Sequence, residues 1–165
     1  MNKSRLLLIV ASILSFDVSV FQAAISFSVK WNAAFDADDE LVSNPPLLLA
    51  TGILMATVFA ICGLYGLSGA GVIMRLPLLR FGLLGIGIAF TVEGFAFVSL
   101  LLVLMHVFPA PHTIYLHHLS ASFVALLTGL LYLGGLAIGW KRLSARASGG
   151  LYGKSAMRAD LAHGS

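Results

Sequence analysis

Charge is scarce in this chain. Only 10% of its 165 residues are Asp, Glu, Lys or Arg, against roughly 25% in soluble domains. That excludes an ordinary soluble fold. Cysteine is rarer still, with Cys62 alone, so no internal disulfide can form and cysteine usage gives no redox compartment. Enzyme signatures are also missing. There is no Walker glycine loop, no dinucleotide G-x-G-x-x-G, no H-E-x-x-H and no nucleophile elbow. Gly69-Ala70-Gly71 reads as a turn at a membrane boundary.

Apolar residues fill the space: 59% of the chain is hydrophobic and the mean hydropathy is +0.97. A membrane helix needs about 20 mostly apolar residues. Four segments qualify, at about 5–29, 46–68, 81–108 and 116–140. The first could pass for a secretion signal, since Met1–Arg5 is short and basic and Leu6–Leu14 is apolar. Asp17 and Gln22 follow without a clean A-x-A site, so a retained helix is expected. Pro45-Pro46 suits a helix start. Gly69–Gly71 and Pro77 separate spans two and three; Pro109 and Pro111 separate three and four.

The net charge of +3 does not point to nucleic acid. Lys3, Arg5, Arg75, Arg80, Lys141, Arg142, Arg146, Lys154 and Arg158 all fall on one side of the spans, and Lys30 alone falls on the other. The positive-inside rule then puts both termini in the cytoplasm. Trp31 and Trp140 mark opposite interfaces. Short connections make consecutive helices antiparallel neighbours. The expected fold is all-α: a polytopic, up-down-up-down four-helix bundle over 1–142, with a polar cytoplasmic tail over 143–165. The bacterial inner membrane is the expected location.

Two acids interrupt the apolar helices. Asp17 lies twelve residues after Arg5, and Glu93 thirteen after Arg80. Both then sit roughly 18–20 Å from the cytoplasmic end. Gln22 flanks one acid, and Thr128 lies at comparable depth on the fourth span. Asp17, Glu93, Gln22 and Thr128 are therefore expected to form a polar spot inside the bundle. Ionisable residues at that depth mark functional sites by default. With no Lys or Arg near, at least one acid is expected to be neutral. Such a group could hold helices together, meet a partner's polar group, carry a proton, bind a cation or donate to a quinone oxygen.

His106, His112, His117 and His118 cluster by sequence near the outer interface. Imidazole ligates zinc, copper and haem iron. Asp36, Asp38, Asp39 or Glu40 could complete a metal site. Histidine is equally an ordinary interfacial residue. Small residues recur at four-residue spacing in Gly135/Gly139, Ala125/Gly129 and Gly85/Ala89. Such pairs let helices approach closely in lipid. They serve either the bundle itself or docking by another membrane protein. Arg75 and Arg80 bracket a proline turn and suit anionic headgroups or an acidic partner.

Leu64-Tyr65-Gly66-Leu67-Ser68-Gly69-Ala70-Gly71, followed by Arg75-Leu76-Pro77-Leu78-Leu79-Arg80, resembles the hairpin of a group of small bacterial inner-membrane proteins of unassigned activity. The resemblance covers the central half of the chain. It implies four helices and a bacterial inner membrane, and it carries no site residues. The layout is also similar to DoxX-like four-helix proteins, some of them tied to quinone-dependent redox systems. That similarity is architectural only. The expected role is a small accessory or structural subunit of a larger inner-membrane complex, such as a respiratory or photosynthetic one. It would pack against partner helices and lipid, or form a homo-oligomer. Two other roles stay open: a redox or quinone-binding protein, and a proton-coupled transporter acting as an oligomer.

Overall fold

The computed structural model describes residues 2–34, 43–105 and 119–141. They form five helices, and no strand occurs among them. Helix α1 spans Lys3–Ser26, α2 Val29–Ala34, α3 Pro45–Ala70, α4 Leu79–Leu104 and α5 Leu119–Lys141. All but α2 are long and apolar enough to cross a membrane. The chain is a multi-pass helical membrane protein.

The expected spans survive with shifted ends. The first span stops at Ser26 rather than 29, and α2 begins three residues later. Asn32 pins that break, donating from Nδ2 to the Ile25 carbonyl at 2.5 Å and the Ser28 carbonyl at 3.1 Å. A buried amide thereby covers carbonyls that the helix end leaves open. Helix α3 opens on Asn44, whose side chain accepts from the Leu47 N–H, with Pro45 in the first turn. It ends at Ala70, two residues later than expected, and Gly71 caps it. There φ is 73°, a left-handed conformation that suits glycine. The Gly71 and Val72 N–H groups then bond the Ser68 and Leu67 carbonyls, each at 3.0 Å. Ser68 anchors the hairpin that follows, donating to the Met74 carbonyl and accepting from the Leu76 N–H, both at 2.9 Å. Helix α4 begins two residues early and ends at Leu104 rather than 108. Helix α5 covers the described residues 119–141, and the expected start of this span at 116 lies outside them. The expected outer loop over 109–115 and the tail over 143–165 lie outside the described residues.

Small residues set the packing. On α1 the inward positions Ser4, Leu8, Ser12, Ser15 and Ser19 follow a spacing of three or four, and Ser26 lies two turns further on. On α3 the matching seam is Gly52, Ala56, Phe59, Gly63, Gly66 and Ala70, an alternation of four and three. That is the 3.5-residue period of a coiled-coil seam. The two seams meet in reverse order. Ser26 touches Gly52, Ser19 donates to the Ala56 carbonyl at 2.7 Å, Phe16 lies on Gly63, and Leu8 and Ser12 lie on Gly66. Helices α4 and α5 also pair in reverse order. Gly87 meets Leu133, Gly129 meets Thr91, Gly94 meets Leu126, and the tilted rings of Phe97 and Phe123 lie 5.3 Å apart. Tyr65 over Gly82 and Phe59 against Phe90, at 5.8 Å, join α3 to α4. Leu8 on Gly135 joins α1 to α5. Helices α1 and α4 are thus diagonal, each flanked by α3 and α5. Lipid gives helices little hydrophobic drive to associate, so close backbone approach and hydrogen bonds carry the assembly.

Candidate functional site

The polar residues inside the bundle are hydroxyls. Tyr132 of α5 is fully buried. Its OH donates to the Cys62 carbonyl of α3 at 2.9 Å and meets the Ser15 Oγ of α1 at 2.9 Å. Its ring lies 6.2 Å from that of Phe90 on α4, nearly parallel. One side chain therefore touches all four long helices. Tyrosine suits this position because a phenol has an apolar body and a polar tip that needs a partner when buried. Nearer the hairpin, Ser4 Oγ donates to the Gly135 carbonyl at 2.8 Å. Other hydroxyls bond back into their own helices: Ser12 to Leu8, Thr91 to Gly87 and Thr128 to Val124, each at 2.7 Å. Every one of these groups has an acceptor, as a medium without water demands. The cluster is neutral and fully bonded, so its chemistry is to hold helices in register.

The four residues expected to form an interior polar spot do not come together. Thr128 is buried, and Gln22 is half-buried on α1. Asp17 and Glu93 are exposed on the outside of the molecule. Asp17 stands nine residues from the buried Leu8. At about 100° per residue this is half a turn away from the core. The acids also sit on the two diagonal helices. Among the described residues neither carboxyl has a hydrogen-bond or ion-pair partner.

The small-residue pairs divide in the same way. Gly135 is buried against Leu8, with 2.7 Å left for a Cβ, and Gly139 is buried too. This pair packs within the chain and offers no face to another protein. Gly129 also belongs to the interior, against the Thr91 N–H and the Gly87 carbonyl. Gly85 differs: a Cβ there would meet nothing within 4 Å, and Ala89 one turn on is exposed.

At the hairpin end, two arginines tie helices together. Arg5 Nε donates to the Ala70 carbonyl at 2.8 Å, where a cation also complements the α3 C-terminus. Arg80 lies over the Trp140 ring at 5.2 Å, a cation–π contact between α4 and α5. Arg75 is exposed. His106, His112, His117 and His118 lie outside the described residues, as do Asp36, Asp38, Asp39 and Glu40.

The Tyr132 hub and the serine–glycine seam were not foreseen. The signal of the seam was in the sequence: mostly small residues at steps of four and three along α3, and serines at steps of three or four along much of α1. Comparison of the chain with protein-family models, curated proteins and solved structures gives no match.

Proposed function

We propose that this protein is a small structural subunit of a larger bacterial inner-membrane assembly, such as a respiratory or photosynthetic complex, with both termini cytoplasmic. One observation carries the reading. Asp17 and Glu93 face outward from apolar helices at mid-span. Ionisable residues inside membranes almost always face protein or a water-filled cavity, because hydrocarbon disfavours them. Outward carboxyls on two diagonal helices therefore need protein cover on both. The interior supports the same reading, since its polar groups are spent on holding the helices together. The sidedness follows from the basic residues, which gather at the hairpin end with Arg5, Arg80 and Lys141.

Native mass spectrometry of the protein, purified from its own membrane in mild detergent, tests the reading. Additional chains in fixed stoichiometry are expected. A bare monomer, or copies of this chain alone, would sink it.

A further inference from the structure

Glu93 poses the sharpest problem the fold leaves open: an exposed carboxyl at mid-span, with no partner among the described residues. Asp17 poses the same problem on the diagonal helix. The two lie at matching depth, twelve residues from Arg5 and thirteen from Arg80. Helices α1 and α4 both run antiparallel to α3, so they run parallel to each other.

Resting on the subunit reading above, we infer that one covering partner is a second copy of this chain, docked so that the α1 face around Asp17 meets the α4 face around Glu93 of the next copy. The argument is complementarity at a fixed depth. Copies inserted in one orientation keep Asp17 and Glu93 level. A neutral carboxyl then donates to its neighbour and accepts in return, or an ionised one accepts from a neutral one. Either arrangement removes both polar groups from lipid with a single kind of contact. A two-fold pairing of α4 with α4 would cover Glu93 and leave Asp17 in lipid. Pairing α1 with α1 would do the reverse.

Shape agrees. The α1 face is bulky: Ile13 is 52%, Val20 68% and Phe21 46% exposed. On α4, Gly85 and Ala89 lead at four-residue steps to Glu93, and open space lies over Gly85. A ridge of large side chains thus meets a row of small ones, which Ile88 and Val92 border on one side. A head-to-tail contact of this kind repeats from copy to copy, unlike an isologous one.

The test uses the full chain in its membrane. In a Cys62→Ser background, Ile13→Cys and Ala89→Cys lie one turn below the two acids and leave both in place. Oxidation with copper phenanthroline should give a ladder of dimers, trimers and longer products from the double variant. Each single variant should stay monomeric, and an equal mixture of the two should stop at dimers. A strong dimer from Ala89→Cys or Ile13→Cys alone would overturn the head-to-tail contact in favour of a two-fold one. Absence of any cross-link would overturn self-association. Adding Asp17→Leu, which places an apolar side chain toward lipid, should reduce the ladder at least tenfold; an undiminished ladder would overturn the carboxyl pairing. Extra chains in the mass spectrum with no ladder would leave the subunit reading standing and remove this one. A ladder without extra chains would do the opposite.

Discussion

Tyr132 shows how one residue can tie a membrane bundle. Its phenol bridges α1 and α3 while its ring lies beside Phe90 of α4. In hydrocarbon the polar tip has no water to fall back on. Tyr132→Phe removes the hydroxyl and leaves the ring. It also takes one bond from Ser15, which keeps the Ala11 carbonyl at 2.9 Å, so no buried donor is orphaned. The expected cost is therefore the net value of a buried hydrogen bond, about 1 kcal/mol. Thermal unfolding in detergent measures it; an unchanged midpoint would show that the phenol hydroxyl contributes nothing. The outward carboxyls carry the opposite lesson at this scale. Polarity alone did not place Asp17 and Glu93 inside. Asp17 lies outward because the serine-lined face of α1 packs on α3, and Glu93 because its neighbour Gly94 packs on the Leu126 backbone of α5.

At the scale of the helix, glycine is the deciding residue. Gly94 sits where a Cβ would fall on the backbone of Leu126, so α4 and α5 are in close approach there. Gly85, nine residues earlier on the same helix, opens onto empty space. Gly94→Ala must push the helices apart and should cost about 1–3 kcal/mol, the usual range for overpacking. Gly85→Ala gains helix propensity without a clash and should stabilise the monomer by about 0.5–1 kcal/mol. Equilibrium unfolding of the two variants in mixed micelles gives the comparison. Equal effects would mean that α4 and α5 do not pack through Gly94. Helix ends follow equally local causes. Asn44 and the prolines start α3, and Gly71 stops it with a positive φ. The sequence placed the ends of the first three spans within a few residues for that reason. It missed the break at Ser26, because the Asn32 bonds that fix it join residues seven and four apart.

For the whole molecule, sidedness is the property most open to direct measurement. Cysteines at Asn2, Ser43 and Lys141, each alone in a Cys62→Ser background, should divide two to one. An impermeant maleimide added to intact cells is expected to label Ser43→Cys only. Asn2→Cys and Lys141→Cys should label once the inner face is opened. Labelling of Asn2→Cys in intact cells would reverse the orientation. The same molecule carries two outward faces, and its larger role depends on what covers them.

Four apolar helices, their lengths and the gathering of basic residues at one end were determined by the sequence alone. Hydropathy, caps and turn residues act within a few positions, so they are legible along the chain. Helix rotation was decided only by the tertiary structure. In water, burial would have sorted Asp17 outward by polarity. In lipid polarity favours the opposite, protein-facing placement, yet within this chain the rotation follows from which surfaces approach most closely. Here the serine seam of α1 met the glycine seam of α3. That contact left Asp17 on the outside, and the close approaches of α4 and α5 at Gly94 and Gly129 left Glu93 outside with Thr128 and Tyr132 buried.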